Sequence, residues 1–86
     1  MRRDMELIAK ILVQVEGFPA NGGHVEMEGY PDDVVDYHVS LLGASGYLRH
    51  GSKRHVEGLT WRGHDLCDEL NRVPLAETIT AHAAAR

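Results

Sequence analysis

Asp32, Asp33 and Asp36 put three carboxylates into one short stretch, and a carboxylate cluster starts a helix, repels phosphate or meets a basic surface. Following Pro31, Asp32 and Asp33 suit the positive end of a helix dipole, but that role leaves Asp36 unexplained. On a face that reads DNA, Asp36 would accept from a cytosine amino group; on a face that reads protein, it would meet a cation. A second group, Arg49, His50, Lys53, Arg54 and His55, with Arg62 further on, has the chemistry to straddle phosphates or enter a minor groove. The same residues also keep an exposed hairpin edge soluble. His64, Cys67 and Asp68 fall at helical spacing on one face, as zinc ligands can. Cys67, however, fits a core stripe with Leu66 and Leu70, and no fourth ligand is evident, so no metal and no cofactor are expected. No glycine-rich phosphate loop or nucleophile motif is present, and the expectation is a binding module without catalytic residues rather than an enzyme.

Positioning these groups requires a definite order of elements. Asp4 caps a helix whose apolar residues Met5, Ile8, Ile11, Leu12 and Val15 repeat to Glu16. Gly17, Pro19, Asn21, Gly22 and Gly23 make a loop, and His24 to Glu28 alternates as a half-buried strand with Val25 and Met27 inward. A second helix starts at Pro31, with Val34, Val35, His38, Val39, Leu41 and Leu42 inside and Asp33, Asp36, Tyr37, Ser40 and Ala44 outside, and Gly46 stops it. Residues 47–50 and 54–57 read as strands joined by a turn at Gly51-Ser52-Lys53, which makes a wing. Thr60 caps a third helix, where Leu66, Cys67, Leu70 and Val73 recur and Trp61 brings the largest apolar surface. The expected fold is therefore α+β, a small winged helix-turn-helix-like domain in the order α-β-α-β-β-α with a short C-terminal helix. Its expected core is Ile8, Ile11, Leu12, Val35, Val39, Leu42, Leu48, Leu66 and Leu70. Residues 1–73 form the winged domain and 74–86 a short helical extension or tail.

Composition sets the outer limits. With 86 residues, 43% hydrophobic and 26% charged, the chain suits one small folded domain rather than a disordered one. A single cysteine excludes an internal disulfide and fits a cytoplasmic setting, and no apolar run is long enough for a membrane span. The net charge of −4 opposes a general affinity for nucleic acid, so any grip on DNA rests on the local wing. Leu75, Ile79 and Ala83 lack an obvious partner in so small a chain, which points to a homodimer through the first helix and the segment after Pro74.

Three stretches carry a family likeness: Arg2-Arg3-Asp4-Met5-Glu6-Leu7-Ile8, then Glu28-Gly29-Tyr30 with Tyr37-His38-Val39, then Gly58-Leu59-Thr60-Trp61 followed by Gly63-His64-Asp65. Together they resemble an uncharacterised bacterial and prophage family, a domain of unknown function, over roughly the first four-fifths of the chain. The likeness implies a phage-linked origin and no particular activity. The middle of the chain separately resembles the recognition helix and wing of small bacterial repressors of the metalloregulator type. His38 matches their histidine, whereas Asp36, Tyr37 and Ser40 stand where those repressors hold serine, arginine and lysine.

The first functional expectation is a phage-associated regulator that binds double-stranded DNA. Tyr37, Ser40 and Asp33 would face the bases, and Arg49, Lys53, Arg54 and Arg62 would lie on the backbone. The alternative is a protein-binding winged helix that uses Asp32, Asp33, Asp36 and Tyr37 against a basic host protein, for instance a phage-encoded antagonist of a nucleic-acid or defence machine. Whether acidic helix and basic wing share one surface separates the two.

Overall fold

A computed structural model of the chain describes residues 2–71. The proposed boundary at 73/74 and the extension 74–86 lie outside these residues. Five elements run α1 (Met5–Glu16), β1 (Gly23–His24), α2 (Asp32–Ala44), β2 (Leu48–Ser52) and β3 (His55–Leu59). A helix α3, described over 61–71, completes the expected α-β-α-β-β-α order. The strands form one antiparallel sheet in the order β1-β3-β2, so the hairpin's second strand is central and a two-residue strand guards its far side.

Helix α1 starts where the Asp4 carboxylate accepts from the Leu7 N–H at 3.1 Å. Its buried stripe is Leu7, Ile8, Ile11, Leu12 and Val15. Leu7 thus takes the inward place expected of Met5, which is left 44% exposed. Helix α2 ends in two reverse hydrogen bonds, Tyr47 N–H to the Leu42 carbonyl at 2.9 Å and Gly46 N–H to the Gly43 carbonyl at 3.2 Å. This Schellman closure needs a left-handed residue after the cap, and Gly46 supplies it at φ +83°.

The strand expected over His24–Glu28 is shorter, because its backbone groups find other partners. Val25 N–H donates to the Arg54 carbonyl at 2.9 Å. Beyond it, the Gln14 side chain acts as a substitute strand: its amide donates to the Glu26 carbonyl and its oxygen accepts from the Glu26 N–H, both at 2.9 Å. Val25 is fully buried and Met27 half-buried, so the inward alternation holds without the ladder. Residues 25–31 contain no helix, and a separate first helix of a helix-turn-helix pair is missing there.

The wing turn also falls later than its glycine suggests. The two-residue turn is Lys53-Arg54, with Lys53 in the left-handed region at φ +50°, rather than Gly51-Ser52-Lys53. Register explains the shift: Arg49 pairs with Gly58, His50 with Val56 and Ser52 with His55, so Glu57 on one strand and Gly51 on the other are the extra residues of two bulges. Gly51 marks a bulge, not the turn.

Ile8, Ile11, Leu12, Val35, Val39, Leu42 and Leu48 are buried as expected, joined by Leu7, Val15, Val25, Val56 and Cys67, with Leu66 and Leu70 half-buried against them. Leu42 is 2% exposed, so Leu42→Ala should cost about 2 to 5 kcal/mol, a large part of a small domain's stability. A urea melt coinciding with that of the wild type would show that Leu42 is not a core residue.

Candidate functional site

The outer face of α2 and the wing tip meet at one guanidinium. Arg54 leaves the wing turn and lies against the first turns of α2, its Nε 2.9 Å from an Asp36 carboxylate oxygen and its Nη2 3.3 Å from one of Asp32. Its side chain is only 20% exposed, while that of Asp32 is 84% exposed and that of Asp36 52%. The acidic helix and the wing tip therefore meet on one surface through Arg54. Asp33, also exposed, turns back to accept from the Val34 N–H at 2.9 Å and so spends part of its carboxylate on starting the helix. Tyr37 is half-buried beside this group, its ring edge-on to that of His38 at 5.2 Å between centroids. Ser40 is exposed one turn further along.

The remaining wing cations do not converge on Arg54. Lys53 is exposed at the tip, and the His50 ring closes onto the Lys53 carbonyl. Arg49 packs its guanidinium over Gly58, 3.3 Å from where a side chain would begin, in a shallow hollow shared with Glu16, Glu57 and His64. Arg62 lies over the Tyr47 ring, 4.9 Å from its centroid, and donates to the Tyr47 hydroxyl at 3.3 Å beside Asp65 and Glu69. Four cations proposed for one backbone contact are thus distributed over separate places, three of them with carboxylates nearby.

His38 is fully buried and satisfied at both ring nitrogens. Nδ1–H donates to the Val34 carbonyl at 2.7 Å and Nε2 accepts from the Asp4 N–H at 2.8 Å. The histidine that matches the repressor pattern, expected on the inner face of α2, is therefore a bolt between α2 and the start of α1. Among the described residues no group of three or more His, Cys, Asp or Glu side chains is arranged to hold a metal ion. Cys67 belongs to the core, 3% exposed, with its Sγ–H directed at Glu16 Oε2 at 3.7 Å. Burial pushes its thiol above the ordinary range, and the negative charge of Glu16 adds to the effect. The folded state thus keeps this proton to higher pH than the unfolded chain does. Its contribution to stability is complete below the ordinary value of 9.0 and should be lost as pH climbs from there through the raised folded-state value. Urea midpoints measured across this range should fall more steeply for the wild type than for Cys67→Ala; equal slopes would remove the thiol as the cause.

Trp61, the largest apolar surface in the sequence, is 85% exposed. Its helical neighbours His64, Asp65 and Asp68 are all polar, and that phase was the available signal. Within the Gly58-to-Asp65 stretch, Thr60 and Gly63 instead serve folding. The Thr60 hydroxyl donates to the Gly46 carbonyl at 2.6 Å and accepts from the Gly63 N–H at 3.0 Å, pinning the start of α3 to the end of α2.

Fold and surface define a small α+β domain with a winged hairpin, a bolted helix pair and a mixed-charge outer face. The chain belongs to the family described as hypothetical protein (DUF2513), whose model matches residues 2–74. No curated protein and no solved structure matches it. Among the described residues no helix is long and apolar enough to cross a membrane.

Proposed function

We propose that this chain is a non-enzymatic protein-binding domain that offers Asp32, Asp33, Asp36 and Tyr37 to a basic partner surface. The observation that carries the reading is the position of Arg54. The wing cation closest to the would-be recognition helix is held by Asp36 and Asp32, and those carboxylates stay largely open to solvent. A phosphate backbone approaching α2 meets three carboxylates and one neutralised arginine, which is repulsive, whereas a basic protein groove meets complementary charge. In a phage-linked setting, such a face would mimic phosphate and occupy the groove of a host nucleic-acid or defence machine.

The competing reading is the double-stranded DNA regulator, with Tyr37 and Ser40 at the bases and Arg49, Lys53, Arg54 and Arg62 on the backbone. One experiment opposes the two. Labelled random-sequence duplex, titrated at low salt and followed by anisotropy, should show no binding by the wild type. The Asp33→Lys/Asp36→Lys variant, its fold checked by circular dichroism, should gain non-specific affinity and lose the protein that nuclease-treated host extract yields to the wild type. Duplex binding by the wild type with a steep salt dependence, flattened by roughly one unit of log-log slope in Lys53→Ala, would reverse the assignment.

A further inference from the structure

Two imidazoles stand opposite each other on the exposed face of the sheet. His24 of β1 and His55 of β3 are Cα partners in the antiparallel register, and both are exposed. The kind of pair follows from its neighbour. Val25 N–H donates to the Arg54 carbonyl at 2.9 Å, so the ladder bonds flank the His24–His55 pair instead of joining it. Partners of this kind bring their Cα atoms to about 4.5 Å, and their side chains stand closer than those of a hydrogen-bonded pair.

The ring of His55 is also turned in a definite way. Its Cδ2 lies 3.0 Å from where a side chain would begin on Gly51 of β2, so the carbon edge is seated over the bulge glycine. Nδ1 and Cδ2 occupy opposite edges of an imidazole, and β3 lies between β1 and β2, which leaves Nδ1 on the side of His24. Among the described residues neither imidazole is hydrogen-bonded, whereas the rings of His38 and His50 are both engaged. Neutral imidazole is a ligand for divalent first-row cations. Two donors bound to one ion at about 2.0 Å lie roughly 3 to 4 Å apart, a separation that facing rings on such a pair reach by side-chain rotation alone.

We propose that His24 and His55 form a two-imidazole site for a divalent first-row transition cation, of which copper(II) binds such nitrogen donors most strongly. It is distinct from the helical set of His64, Cys67 and Asp68. No third His, Cys, Asp or Glu completes it among the described residues, so solvent or a donor from another molecule holds the remaining positions. An ion there fastens β1, only two residues long, to the strand that leaves the wing turn, next to Arg54.

The test uses the untagged full chain titrated with copper(II). One ion per chain should bind in a step whose electron paramagnetic resonance spectrum carries the splitting of two imidazole nitrogens. Loss of a group that merely supports a metal ligand costs roughly 10- to 100-fold in affinity, so His24→Asn and His55→Asn should each weaken the step at least that much. His64→Asn, which alters another exposed histidine, should leave it unchanged. Both replaced side chains are exposed, so the ion-free variants should unfold in urea as the wild type does, and copper(II) should raise the midpoint of the wild type well above theirs. Absence of the step in the wild type, its survival in the double variant, or its loss in only one of the single variants would overturn the proposal.

Discussion

Replacing Gly63 by alanine should cost about 3 kcal/mol or more and leave a domain that melts far below the wild type, or fails to fold. Gly63 is buried in the first turn of α3, directly over the end of α2. A β-carbon built there would collide with the Tyr47 carbonyl oxygen, with the carbonyl carbon at 3.0 Å and the Leu59 Cβ at 3.3 Å. Neither obstacle is the free end of a side chain. The Tyr47 carbonyl is fixed by the Thr60 N–H at 3.1 Å, and Tyr47 itself closes the Schellman bonds of α2. Relief would require moving α3 off α2, which also breaks the Thr60 bridge and uncovers Cys67 and Leu66. Overpacking usually costs about 1 to 3 kcal/mol, and a backbone obstacle places this site at or above the upper end. Gly17→Ala is the internal control. Its β-carbon would meet only the Gln14 and Val13 carbonyl oxygens, at the ordinary contact distances of 3.5 and 3.9 Å, its φ is an ordinary −82°, and its effect should lie within about 1 kcal/mol of zero. Urea denaturation of both variants checks the contrast, and a Gly63→Ala protein as stable as Gly17→Ala would show that the α2–α3 junction is looser than described.

That junction also shows what a chain of this length reveals before its structure is known. Asp4, Pro31 with its following aspartates, Gly46 and Thr60 were legible because each acts on its own backbone within a few residues, where residue type and position determine the hydrogen bond. The core stripes of α1 and α2 were legible by periodicity, apart from the exchange of Leu7 for Met5. The turn at Lys53-Arg54 was not, because a glycine attracts a turn assignment although here it relieves a bulge, and the left-handed position is taken by a lysine that propensity disfavours. Gln14 acting as a strand for Glu26 has no local signature at all.

For the surface the same division has a functional consequence. That α2 is acidic outside and the wing basic was plain from residue types. That Arg54 folds back onto Asp32 and Asp36 depends on where the hairpin tip lands, which follows from the two bulges in the sheet and from the Val25 bond to the Arg54 carbonyl. The bulges therefore act on electrostatics as well as on shape: they deliver a cation to the helix and remove it from the set available to phosphate. Trp61 is the complementary case. Its size drew attention in the sequence, but its side of the helix is shared with His64, Asp65 and Asp68, and it stands exposed.

His38→Ala should destabilise the domain by about 3 kcal/mol or more, the second of the two largest losses expected. The imidazole is fully buried, so truncation opens a void, and it also deprives the Asp4 N–H of its acceptor. Asp4 is the cap of α1, its carboxylate occupied by Leu7 and its own N–H by His38, so the loss reaches the start of the helix. Gln at this position retains an acceptor of comparable reach and should recover part of the stability, whereas Phe, which fills the volume without an acceptor, should still lose about 1 to 3 kcal/mol for the unpaired N–H. Nitrogen chemical shifts of the native ring should report the Nδ1–H tautomer, because only that form donates to Val34 while accepting from Asp4. A ring found protonated on Nε2 alone, or a Phe variant as stable as the wild type, would dismiss the bolt. The consequence extends to the outer face: Tyr37 rests edge-on against this ring, so a loosened His38 should also loosen the aromatic residue that the proposed basic partner contacts. Partner affinity should therefore fall in His38→Phe less than in Asp33→Lys/Asp36→Lys, and fall through a less ordered Tyr37 rather than through charge.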